Sequence, residues 1–138
     1  MVVPPIHLVP VLVSALAVFA LGALWYSPLL FGKQWVAAHG HTPEKLEAMR
    51  ASAGRAYAVS FFCYVVMAVA MSILIGRMNI TMIEGGFKLG ALLGLGFAAT
   101  ITLTAHMFSN KPLAAYWIDA GYQVAYLILM GLILVAWR

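Results

Sequence analysis

Residues 117–137 read WIDAGYQVAYLILMGLILVAW, an apolar run with tryptophan at both ends. A helix rises about 1.5 Å per residue, so a run of this length crosses the ~30 Å hydrocarbon core of a bilayer. Three other stretches match it in length and in the residues that bound them: Pro5 to Trp25, Tyr57 to Arg77 and Gly86 to His106. The expected fold is all-α: a single domain over residues 1–138 holding four transmembrane helices in an antiparallel bundle.

Composition points to the same solvent. The chain is 64% hydrophobic and 9% charged, with a mean hydropathy of +0.98, whereas soluble chains average about 25% charged residues. A soluble domain of this size buries only about 70% of the surface its unfolded chain exposes, too little to hide so much apolar area. The expected environment is therefore the lipid bilayer. The net charge of +4 is carried by basic residues set singly between apolar runs. They read as topology and headgroup signals, and nucleic acid is not expected as a partner. Cys63 is the sole cysteine, which excludes an intrachain disulfide and a CxxC motif. The opening MVVPPIHLVP lacks the basic region of a secretory signal, so the first run reads as a retained helix.

The first connection holds most of the charge. Within it Thr42 is placed to cap a helix, Pro43 suits the first helical position and Glu44 faces the positive first turn. Leu46, Met49 and Ala53 follow at helical spacing, so one short helix is expected there, lying on the membrane surface or simply solvated. The other two links are short and imply antiparallel neighbours. Lys33, Lys45, Arg50, Arg55 and Lys111 fall on the first and third links, against Arg77, Lys88 and Arg138 on the other side. The positive-inside rule then places the first and third links in the cytoplasm and both termini outside it.

Alternating direction also decides which helix ends meet. One leaflet gathers Tyr26 and Lys33 after the first span, Arg55 before the second, His106 and Asn110 after the third, and Tyr116 and Asp119 at the start of the fourth. The opposite leaflet has no comparable set. On the fourth span Tyr116, Asp119, Tyr122 or Gln123, and Tyr126 recur every three or four residues, a spacing that stacks them on one face. An unpaired polar group in hydrocarbon costs several kcal/mol, so that face should point inward. Asp119 reads as a shallow carboxylate that reaches headgroups or pairs with Lys111 or Arg55, or as the shallow end of an inward polar face; a basic or hydroxyl neighbour is expected to hold it. Tyr126 lies about 13 Å deeper than Trp117 by helical rise and needs a buried partner, for which Ser60, Tyr64, Thr100, Thr102 and Thr104 are candidates. Trp25, Tyr57, Trp117 and Trp137 read as interfacial anchors.

Gly86, Gly90, Gly94, Ala98, Thr102 and His106 follow one another at four-residue steps. Such a ridge of small side chains admits another helix at close range. Whether it seals the monomer or joins protomers is open at this level, and a homo-oligomer is expected on its account. Pro28 in WYSPLLFG disfavours helical geometry at Ser27, which ends or interrupts the first span.

LGALWYSPLLFGKQW (21–35), FSNKPLAAYWIDAGYQV (108–124) and the closing MGLILVAWR resemble the small four-helix membrane proteins of the domain-of-unknown-function family numbered seventeen sixty-one. The resemblance spans nearly the whole chain. It implies a bacterial inner-membrane protein and brings no activity, substrate or cofactor with it. It also implies that asparagine often stands at the position of Asp119 and histidine at that of Gln123. That exchange keeps hydrogen bonding without the charge, and counts against a proton relay through Asp119 as a shared mechanism.

No GxSxG elbow, HExxH helix, P-loop or dinucleotide fingerprint occurs. Ser109, His106 and Asp119 reach the same end without a positioning motif, which is weak ground for catalysis. His39, His41 and Glu44 are metal-binding residue types, but an HxH in a loop is more often incidental; neither a metal nor another cofactor is expected. Two function classes remain. One is a site at the polar leaflet that binds or conducts a small solute or ion. The other is a structural or accessory protein that packs against a membrane partner. The choice turns on whether the polar end encloses solvent or packs shut. A tag at Arg138 should react with an impermeant reagent only from the non-cytoplasmic side; exclusive cytoplasmic labelling would reverse the orientation.

Overall fold

The computed structural model describes residues 4–137, so Arg138, used in the charge count above, lies outside the described residues. Six helices and no strands occur among the described residues: α1 (Leu8–Trp25), α2 (Gly32–His39), α3 (Pro43–Ala51), α4 (Ala53–Arg77), α5 (Ile83–Phe108) and α6 (Leu113–Ala136). Helices α1, α4, α5 and α6 are long and apolar enough to cross a membrane. The chain is an all-helical membrane protein with four candidate spans.

Local chemistry sets the boundaries. Helix α1 starts at Leu8 rather than Pro5, after an extended His7; Pro10 then falls in the first turn, where no amide hydrogen is required. Helix α3 has the expected start, with the Lys45 amide donating to Thr42 Oγ1 at 3.2 Å and Pro43 in first position. The first link contains two short helices, not one, because α2 forms ahead of α3. Gly40, at φ +65°, ends α2 in the left-handed conformation that glycine adopts without strain. Helices α4, α5 and α6 begin three or four residues before the apolar runs do, at Ala53, Ile83 and Leu113.

Helix α6 is the centre of the packing. Of its most apolar stretch 44% is buried, against 11% for α5, and α1, α4 and α5 all pack on it. The closest approach is the glycine seam. A Cβ at Gly90 would lie 2.5 Å from the Leu127 carbonyl oxygen, one at Gly94 would lie 2.9 Å from Val124 Cα, and Gly86 meets the Gly131 backbone. As numbers rise along α5 they fall along α6. The ridge is thus occupied within the chain by two backbones in contact, which removes the sequence reason for assigning it to a protomer interface.

The ridge does not continue as a straight line. At about 100° per residue, Thr102 and His106 would stand about 80° and about 120° around an unbroken α-helix from Gly94. Residues Gly94–Ala98 instead form a π turn, which absorbs one residue and brings both to within about 20° of the Gly94 direction. A wide turn frees carbonyls that lipid cannot satisfy. Thr100 Oγ1 lies 2.9 Å from the carbonyl oxygens of both Gly96 and Phe97, and the Tyr116 hydroxyl donates to Ala99 O at 3.0 Å.

Gly90→Leu should force the seam apart and cost about 3 kcal/mol, the upper range for overpacking. Gly96, whose added Cβ meets nothing within 4 Å, should accept alanine within about 0.5 kcal/mol. Denaturation in detergent compares the two.

Candidate functional site

The polar residues collect where α1, α2, α5 and α6 meet. Helix α1 stops at Trp25, and the next six residues fold into a compact reversal. Ser27 Oγ donates to Leu24 O at 2.6 Å, the Phe31 amide to Trp25 O at 3.0 Å and the Gly32 amide to Ser27 O at 3.0 Å. Gly32 lies so close to the Tyr26 and Ser27 backbone that a Cβ has no room. This reversal gives the WYSPLLFG box its physical role: it turns α2 back over the start of α6.

Asp119 receives what that reversal delivers. Its Oδ1 accepts from the Tyr26 hydroxyl at 2.6 Å and from Trp35 Nε1 at 3.1 Å. Its Oδ2 lies 3.3 Å from His106 Nε2 on α5. Burial, and then the hydrogen bond to Asp119, push the Tyr26 phenol well above its usual range, so it stays a donor. One residue earlier, the Ile118 carbonyl accepts from Trp25 Nε1 at 3.0 Å. Three other elements therefore hold one turn of α6.

Deeper along the same face the tyrosines continue inward. Tyr122 donates to the Val18 carbonyl at 2.9 Å and lies 3.1 Å from the Tyr64 hydroxyl. That reach requires Gly22, where a Cβ would come within 2.6 Å of the Tyr122 oxygen. Tyr126 donates to Met67 Sδ at 3.6 Å, with its ring edge-on to Tyr64 and Tyr122. Thr102 donates to Gln123 Oε1 at 2.7 Å. Of the candidate partners for Tyr126, Tyr64 meets its ring, whereas the hydroxyl is taken by Met67.

The structure brings Tyr26, His106, Tyr116, Asp119, Tyr122, Gln123 and Tyr126 into this region and leaves out three other candidates. Lys33, Arg55 and Asn110 are exposed and, among the described residues, make no side-chain hydrogen bond or ion pair with it. The pairing of Asp119 with Lys111 or Arg55 is replaced by His106, because the α5 register carries the imidazole to the carboxylate while the basic side chains stay outside. Trp25 departs from the anchor reading, its indole turned onto α6, while Tyr57, Trp117 and Trp137 remain exposed. Sequence reasoning missed Trp35. The signal was present in Gly32 and Gly40, which bracket KQWVAAH as a helix of two turns.

His39 and His41 stack face to face, with ring centres 4.9 Å apart and planes 6° from parallel, and Trp35 lies against both. Stacked imidazoles aim their lone pairs along parallel planes rather than at one point. Among the described residues no three His, Cys, Asp or Glu side chains converge as metal ligands. Burial, and then His41 alongside, push the His39 imidazole below its usual value.

A family model described as Protein of unknown function (DUF1761) matches residues 9–135. The chain belongs to that family. The match covers all four spans and the Tyr26–Trp35–Asp119–His106 cluster, so the cluster belongs to the family domain rather than to an appended segment. No curated protein and no solved structure matches the chain. For this member of the family, Tyr26→Phe removes one charge-assisted hydrogen bond from Asp119 and should cost about 2 kcal/mol, read as a lower denaturation midpoint in detergent.

Proposed function

We propose that the chain is a structural or accessory membrane protein whose polar cluster locks three spans and the returning helix α2 at one leaflet. The supporting observation is the carboxylate of Asp119, held by Tyr26, Trp35 and His106 from three separate elements. A cluster whose groups bind one another is built to hold helices together. Towards the other leaflet the core is filled mainly by the apolar Val11, Met71, Ile75 and Met130, with Ser14 a buried hydroxyl beside them, a largely apolar stretch that opposes conduction through a single chain.

Binding of a small solute or ion at this end is the second reading. It is favoured by the partial exposure of Asp119 and by a buried His106 Nε2 with no hydrogen-bond partner. In this proposal the cluster faces the cytoplasmic leaflet of the inner membrane, since the first and third links carry most of the basic residues. Leu92, Leu95 and Ile101 on α5, together with Val59, Phe62 and Val66 on α4, are exposed and are left for lipid, a further copy or a partner protein.

Asp119→Ala strands the donors of Tyr26 and Trp35 and should cost about 3 kcal/mol in detergent. Proteoliposomes of the unaltered chain should show no ion flux above empty vesicles. A flux abolished by Asp119→Asn would replace the locking role with conduction.

A further inference from the structure

Helix α3 is held at both ends on the polar side of the bundle. Ahead of it, His41 packs on Trp35 with ring centres 5.4 Å apart, and Trp35 donates to Asp119 on α6. Behind it, Ser52 alone separates Ala51 from Ala53, the first residue of α4. With both attachments at the polar end, α3 runs across that end instead of projecting from it. Its depth follows from α4. Tyr57, exposed and suited to the interface, lies four residues beyond Ala53, about 6 Å by helical rise. The headgroup layer is of similar thickness, since ~30 Å of hydrocarbon sits within a bilayer of about 40–45 Å. Helix α3 therefore joins α4 at the depth of the headgroups.

The side chains of α3 are sorted to suit that position. At about 100° per residue, Lys45, Met49, Leu46 and Arg50 succeed one another over about 140° of the helix surface. Glu44 and Glu47 stand about 170° and about 130° from the middle of that arc. Leu46 is the one α3 residue that is not exposed, so the arc is the side turned towards the bundle and the acids are turned away. Two apolar side chains between two basic ones let cationic stems lie on apolar surface while their heads reach phosphates. Those heads have no protein partner. Lys45, Arg50 and Arg55 make no ion pair among the described residues, whereas Lys88 at the other end of the bundle is paired with Glu84. Around the polar end Lys33, Lys45, Arg50, Arg55 and Lys111 are exposed, against Glu44 and Glu47 as exposed acids.

We propose that Lys45, Met49, Leu46 and Arg50 of α3, with Arg55 at the start of α4, form a docking surface for anionic phospholipid headgroups. Charge complementarity selects this occupant: unpaired cations stand at headgroup depth, and the acids that would repel a lipid phosphate are on the far side of the helix. Each Lys or Arg close to an anionic membrane surface strengthens association about fivefold. The contact adds to the locking role and does not depend on it, since the Asp119 cluster ties helices to one another and α3 ties the first link to lipid.

The full chain is reconstituted in nanodiscs containing phosphatidylcholine and phosphatidylglycerol in equal amounts, and the lipids that remain bound on gentle release are counted by native mass spectrometry. The wild-type chain is expected to retain phosphatidylglycerol in preference. A variant carrying Lys45→Gln and Arg50→Gln, both exposed and unpaired, should keep its helices by circular dichroism while the preference falls about fivefold for each charge removed. A variant carrying Arg77→Gln and Lys88→Gln at the other end of the bundle should lower it less. The proposal is overturned if the wild-type chain retains the two lipids in their mixing ratio, which would leave the surface to an acidic protein partner. It is also overturned if the preference survives in the α3 variant, or if the variant at the other end lowers it as far. Should the α3 variant fail to fold, Arg55→Gln alone decides: an unchanged preference rejects the docking surface, and a loss of about fivefold supports it.

Discussion

A carboxylate near the end of a membrane helix must find donors inside the protein, because hydrocarbon offers none and the cost of leaving it unpaired exceeds most packing gains. Much of the architecture around Asp119 answers that demand. The chain reverses after Trp25 and brings Tyr26 and then Trp35 to Oδ1. Helix α5 brings His106 to Oδ2. Remove the acid and the reversal, the returning helix and the second half of α5 lose their common point of attachment.

That demand meets a second one on α5. Gly86, Gly90 and Gly94 must face α6 for two backbones to touch, and Thr102 and His106 must face the same helix further along. A regular helix cannot satisfy both, since four-residue steps slip by about 40° each. The π turn at Gly94–Ala98 absorbs the slip, and the carbonyls it releases are covered by Thr100 and Tyr116. Such wide turns often accompany functional sites. In this chain it sits between a packing surface and a polar one, and reconciles their registers.

The spans were legible because hydropathy over about 20 residues is a long, redundant signal. The Thr42–Pro43 start was legible because capping is local chemistry. The convergence of polar residues at one end followed from alternating direction alone. Helix ends were read three or four residues off, since Ala53, Ile83 and Leu113 precede the apolar runs that mark the spans. Helix α2 was missed because two turns of KQWVAAH have no periodic run to announce them; their order depends on Gly32, Gly40 and the docking of Trp35. A hydroxyl neighbour for Asp119 was expected and Tyr26 supplies it, but the named basic partners, Lys111 and Arg55, were misread because the register of α5, which brings an imidazole there instead, was not legible. The destination of the glycine ridge, within the chain, was likewise a matter of which helix lies opposite.

The one-sided layout limits what this chemistry can accomplish. Inward from Asp119 the polar side chains each find a separate partner: Tyr122 donates to the Val18 carbonyl and Tyr126 to the thioether of Met67. Beyond it lie Met71, Ile75 and Met130, buried and apolar, with Ser14 of α1 a fully buried hydroxyl in the same core. The hydrogen-bonding side chains are therefore concentrated at one end of the bundle, where they join helices to one another. The first link is the least enclosed part of the fold, since neither α2 nor α3 has a buried residue. The hydrogen bond from Trp35 to Asp119 ties this exposed link to α6.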